Sequence, residues 1–171
     1  MEQKTLEYNE VVQMGKRFLI TNKFHQPQAM LIDDKGAITI ILLAMRNDQD
    51  KLPAIEALRQ MVAKNKVNKY YLTMVSWFAN IKETTRMLPA SQQPNRREAL
   101  IVIEFIKGDN GSYGKFPFRR ENNNIIFEDD SSIGTTKELV SLWNVFLEAE
   151  GTKERLDKAL KKSKDIYRGR Q

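Results

Sequence analysis

The chain contains no cysteine, which excludes disulfides, zinc–thiolate centres, iron–sulfur clusters and cysteine nucleophiles together. It carries a single histidine, His25, so a general base or metal ligand at that position would have no second histidine and no nucleophile elbow to work with. No stretch approaches the roughly 18 consecutive apolar residues that a membrane-spanning helix needs. The opening Met1-Glu2-Gln3-Lys4 is polar and lacks the apolar core of a signal peptide. Internal repeats, low-complexity tracts and Pro/Gly-rich linkers are missing as well. The expectation is a cytoplasmic protein of one domain, without membrane contact, resident metal or cofactor.

What is present is a well-specified sheet. Three apolar runs, Ala37–Leu43, Tyr70–Ala79 and Ala99–Ile106, are rich in Ile, Val, Leu and aromatics and are bounded by turn residues. Such runs read as strands buried on both faces. A first helix is expected from about Thr5 to Ile20, with Tyr8, Val11, Val12, Gly15, Phe18 and Leu19 on one stripe. Ala29–Ile32 and Ala37–Leu43 form a hairpin about Asp33-Asp34-Lys35-Gly36, where Gly36 suits a positive φ. A second helix covers Lys51 to Lys64, N-capped by Asp50 and carrying Pro53 in its first turn. Further strands are expected at Ala99–Lys107, Lys115–Glu121 and Ile125–Phe127. Pro117 marks an edge or bulge, and Asn122-Asn123-Asn124 makes a turn.

A polar loop from Glu128 to Gly134 precedes a third expected helix, Thr136 to Glu150, striped by Leu139, Leu142, Trp143, Phe146 and Leu147. A fourth runs from Thr152 to about Tyr167, with the thin stripe Leu156, Ala159, Leu160 and Ile166. The resulting class is α+β: a single, mostly antiparallel sheet of about five or six strands covered by helices, with a helical C-terminal extension. Residues 1–150 form the domain and residues 151–171 a basic tail.

Charge is distributed unevenly. Of the net +6, +5 falls between Gly151 and Gln171, where eight Lys or Arg face three acidic residues. A basic tail is either an electrostatic footprint for nucleic acid or a solvated helix end that complements its own dipole.

The motifs that could carry chemistry have structural readings beside them. Asp33-Asp34 could hold a divalent cation, but neighbouring residues in extended chain point to opposite sides, and the pair reads as turn chemistry. Glu104-Phe105-Ile106-Lys107 loosely resembles the Glu-x-Lys strand of restriction-type metal nucleases. One extra residue places Glu104 and Lys107 on opposite faces. Gly108, Gly111 and Gly114 are spaced like a phosphate loop but lead into a strand, whereas phosphate loops lead into a helix. Arg96, Arg97 and Arg119, together with Lys161, Lys162, Lys164 and Arg168 of the tail, are the candidate anion or nucleic-acid contacts, with Trp77 and Tyr113 as aromatic platforms.

The order helix, hairpin, helix, antiparallel strands, helices resembles that of roadblock-type and related profilin-like domains, over about Thr5–Glu150. The resemblance implies a scaffold for dimers and regulatory complexes. Trp77 followed by Pro94-Asn95-Arg96-Arg97-Glu98 resembles uncharacterised prokaryotic and phage-borne proteins in which a Pro-x-Arg-x-Glu segment precedes a strand; that likeness implies no catalytic residue. The leading functional expectation is a non-enzymatic interaction or accessory protein. Leu156, Leu160 and Ile166 would dock on a protein partner or second copy, or else clamp the helix onto its own sheet. Nucleic-acid binding through the basic tail is the alternative, and a metal-dependent nuclease or hydrolase the second alternative.

Overall fold

The computed structural model describes residues 5–79, 90–136 and 143–146. The element order is α1 (Tyr8–Asn22), β1 (Gln28–Asp33), β2 (Ile38–Leu42), α2 (Lys51–Lys64), β3 (Val67–Phe78), β4 (Arg97–Ile106), β5 (Ser112–Glu121), β6 (Asn124–Phe127) and β7 (Ser132–Thr135), with short 3₁₀ turns at Asp48–Asp50 and Ala90–Gln92. The fold is α+β. Among the described residues all pairings are antiparallel, and one seven-stranded sheet runs β2-β1-β3-β4-β5-β6, with β7 also on β5. The strand count exceeds the expected five or six because Ser132–Thr135, read as loop, pairs with Ser112–Lys115.

Two helices cover opposite faces of the sheet. Because side chains alternate along a strand, Tyr71, Leu100, Val102, Phe116 and Phe118 meet Val11, Val12 and Leu19 of α1 on one face. On the other, Leu31, Tyr70, Leu72, Ile103 and Phe105 meet Ala54, Ile55, Leu58 and Val62 of α2. Gly15 allows α1 to lie close on the sheet: a Cβ there would stand 3.2 Å from Leu100 Cδ2. The Glu10 carboxylate accepts the Glu7 N–H at 3.0 Å at the start of α1. Asp50 does not cap α2 with its side chain. Its Oδ2 accepts the Arg46 N–H at 2.7 Å and ties the preceding loop instead.

The turns follow from backbone demand. Asp33 Oδ1 accepts the N–H groups of Lys35 at 2.9 Å and Ala37 at 2.8 Å, and Gly36 takes φ 78°. Asn122 and Asn123 hold φ 49° and 62° in the β5–β6 turn. Pro117 lies inside β5 opposite Ala99, yet its position obeys the rule that proline avoids ladder donors. β7 pairs with residues 112–115 and β6 with residues 118–121, so Pro117 falls at the seam between them.

Two further expectations change. Ala37–Leu43 was expected to be buried on both faces, but β2 is the outermost strand, and Ile38, Ile40 and Leu42 are 48%, 56% and 60% exposed. Trp143–Phe146, expected within a helix, is a turn, with Val145 N–H donating to Trp143 O at 3.1 Å. The rest of the expected third helix, the fourth helix and the tail lie outside the described residues. Neither described helix is long and apolar enough to cross a membrane.

Candidate functional site

The catalytic candidates are each absorbed by the architecture. His25 is buried in the α1–β1 connector, where Nδ1–H donates to the Gln26 carbonyl at 2.7 Å and the ring meets Phe18 at 5.5 Å between centroids. Burial lowers its pKa, so the neutral imidazole is favoured. Its Nε2 finds no hydrogen-bond partner among the described residues. Asp33 is occupied by the hairpin turn, as described above.

Glu104 is buried on the α1 face, opposite Tyr71. Its carboxylate accepts the Ser112 N–H at 3.2 Å and lies 3.8 Å from Lys69 Nζ. Burial, and then this carboxylate, push the phenols of Tyr8 and Tyr71 far above their ordinary pKa. Tyr71 Oη donates to the Leu6 carbonyl at 2.7 Å and Tyr8 Oη to the Val102 carbonyl at 3.0 Å. The cluster therefore fastens the chain around the start of α1 to the sheet. Lys107 lines a 420 Å³ pocket with Arg59, Lys66 and Phe146 on the α2 side, away from Glu104. No group of three His, Asp or Glu able to hold a metal ion occurs among the described residues.

The glycines of the β4–β5 turn also have structural work. Gly108 takes φ 73°; a Cβ at Gly111 would overlap the Glu104 backbone, and one at Gly114 would overlap Tyr8 Oη.

Of the candidate anion contacts, Arg97 and Arg119 are ion-paired. Arg97 holds Glu128 and, at 2.8 Å, Asp130. Arg119 lies 3.2 Å from Glu121. The neighbouring Arg120 pairs with Glu98 at 2.8 Å. Arg96 is exposed and lies over the Trp77 ring at 5.1 Å. Lys161, Lys162, Lys164 and Arg168, like Leu156, Leu160 and Ile166, lie outside the described residues.

Strand β2 was expected from the sequence, but its exposed face was missed. Ile38, Ile40 and Leu42 sit opposite Ile32, Met30 and Gln28 and therefore share the α1 face. Helix α1 does not reach over them. Lys16 lies over the rings of Phe116 at 4.7 Å and Phe127 at 5.1 Å, so that flank of α1 faces β5 and β6. Met14 and Phe18 lie about 200° around the helix from Lys16, on the flank toward β1 and β2, and are 42% and 44% exposed. The result is an open apolar strip of edge strand and helix flank. Beyond β2 no strand is paired among the described residues.

Natural sheets blunt such edges with charge, proline or short strands. Ile38-Thr39-Ile40-Ile41-Leu42 has neither charge nor proline, whereas β6 at the far side is only four residues long. Covering the exposed remainder of each of the three side chains is worth about 1 kcal/mol. The signal in the sequence was the length of the apolar run; what it lacked was the identity of the neighbour on each side.

Comparison with known proteins returns no matching family model, no matching curated protein and no matching solved structure.

Proposed function

We propose that this chain is a non-enzymatic interaction protein that binds another polypeptide along strand β2. The observation that carries the reading is the uncovered row Ile38, Ile40 and Leu42 on an open sheet edge. Extended polypeptides bind such edges through main-chain hydrogen bonds, with alternate side chains supplying the apolar contact. The structural employment of His25, Asp33 and Glu104 supports the same reading, since each already serves a turn, a connector or a helix anchor.

Nucleic-acid binding is the second reading, favoured by one arrangement. Exposed Trp77 carries Arg96 on its ring, beside a groove that Arg46 and Lys51 also line. Stacking and phosphate contact could meet there.

A photoreactive amino acid at position 40, expressed in cells, separates the two. The expected product is a discrete protein adduct identified by mass spectrometry and absent when the label stands at exposed Lys64 of α2. Adducts to nucleic acid, or none at all, would count against the protein-docking reading.

A further inference from the structure

Strand β3 outruns its neighbour. β1 begins at Gln28, opposite Thr73, while β3 continues to Phe78. Bonded and non-bonded pairs alternate along an antiparallel ladder, and Lys107 N–H donates to the Asn68 carbonyl at 2.9 Å. With Lys69 opposite Ile106, even-numbered residues of β3 therefore turn their main-chain groups toward β4 and odd-numbered ones toward β1. The β1–β2 ladder gives the same answer from the other side. There Leu43 N–H donates to the Pro27 carbonyl at 2.8 Å and Asp33 N–H to the Ala37 carbonyl at 3.1 Å, which leaves Gln28, Met30 and Ile32 to face Thr73, Tyr71 and Lys69. Val75 and Trp77 are the next two odd positions, and β1 has ended before them. Apart from a long contact of Ser76 Oγ to the Trp77 carbonyl at 3.4 Å, their outward N–H and C=O groups have no hydrogen-bond partner among the described residues.

Both positions open into a 360 Å³ groove that Met45, Arg46, Lys51 and Trp143 also line. No lining residue is acidic, and neither Arg46 nor Lys51 is ion-paired among the described residues. The neighbouring Asp50 carboxylate is engaged with the Arg46 N–H at 2.7 Å. Arg96, over the Trp77 ring, adds a third cation.

We propose that this groove captures a short acidic peptide segment in extended conformation, added to the end of β3 where β1 stops. Its main chain exchanges hydrogen bonds with Val75 and Trp77, and its carboxylates meet Arg46 and Lys51. A nucleic-acid strand matches the charge but has no alternating N–H and C=O groups for the two open ladder positions. The groove shares no lining residue with the row Ile38, Ile40 and Leu42, so a partner here is additional to one on β2.

Fluorescence anisotropy of a labelled Val-Glu-Val-Glu-Val peptide, titrated with the full chain, tests the proposal. Saturable binding is expected, weakened about tenfold by Arg46→Glu or Lys51→Glu and similarly when Gln replaces Glu in the peptide. Lys51→Glu puts a carboxylate in the first turn of α2, where the helix dipole favours it, so the melting temperature should not fall. Methylating the backbone nitrogens of either the Glu or the Val residues blocks one edge of the peptide at a time. Only one of these two peptides should lose binding, because only one edge faces β3. Loss with both or with neither overturns the proposal, as does normal binding to the Arg46→Glu protein or no saturable binding at all. Binding that disappears in Ile40→Lys moves the peptide to β2 and overturns it too. A labelled oligothymidylate that binds where the peptide does not, and weakens with Arg46→Glu, assigns the groove to nucleic acid instead.

Discussion

Tyr70 and Val145 are joined through one hydroxyl: Val145 N–H donates to Tyr70 Oη at 2.9 Å, while the same oxygen donates its proton to the Trp143 carbonyl. Tyr70 is fully buried, packed 5.0 Å from both the Phe105 and Phe146 rings. A strand residue thus anchors the Trp143–Phe146 turn on the α2 face.

Tyr70→Phe keeps the ring and removes both bonds. The expected loss of stability is about 1–3 kcal/mol, at about 0.5–1.5 kcal/mol for each hydrogen bond. Because the Trp143 side chain is buried, its fluorescence should shift to the red in a Trp77→Phe background. An unshifted spectrum with wild-type stability would show that the hydroxyl is not the anchor.

Gly114→Ala is expected to cost about 1–3 kcal/mol through overpacking, since a Cβ would overlap Tyr8 Oη and the Phe116 ring. Combined with Tyr8→Phe, which removes the hydroxyl, the penalty should be smaller than the sum of the two single changes. Urea melts of the single and double variants measure the coupling; strict additivity would mean that the two residues do not share the site.

His25 makes stability depend on pH. Its folded pKa lies below the unfolded value near 6.5 because burial disfavours the imidazolium. The unfolded chain therefore binds the proton first. The contribution is complete above about pH 6.5 and is lost progressively as the pH falls from there toward the folded pKa. The melting temperature should therefore drop as the pH falls below about 6.5, and His25→Gln should flatten the profile there. Equal slopes in the two proteins would place the titration elsewhere.

Much of the fold was legible wherever the deciding forces are local. The Lys51–Lys64 helix was read from its apolar spacing, the Gly36 turn from the positive φ it suits, and the Asn122-Asn123-Asn124 turn from its run of turn residues. Three features depend on residues distant in sequence and were not. The apolar run in β2 resembles a central strand, because composition records what a strand could bury and not whether a neighbour arrives to bury it. Ser132-Ile133-Gly134-Thr135 has little strand character of its own; its pairing is drawn out by the backbone groups that residues 112–115 leave open. Arg97 was read as a candidate anion contact because its ion pairs with Glu128 and Asp130, two turns and two strands further on, depend on the folded sheet. The open apolar strip of β2 was visible only as residues, without its exposure.

The sheet also has a history written into its ladders. Hairpin β1–β2 and meander β3–β7 are each closed by nearby chain, while the β1–β3 ladder joins residues as distant as Gln28 and Thr73. Closing that longer loop costs more entropy before contacts repay it. The meander is therefore expected to assemble first and receive the hairpin late, with β1 slotted between β3 and β2 only when α2 has crossed over to its face. Native-state hydrogen exchange would register this as β1 and β2 amides opening together at a lower free energy than those of β3 and β4. The strand that meets the outside world would then belong to the last unit laid down and the first to lift away.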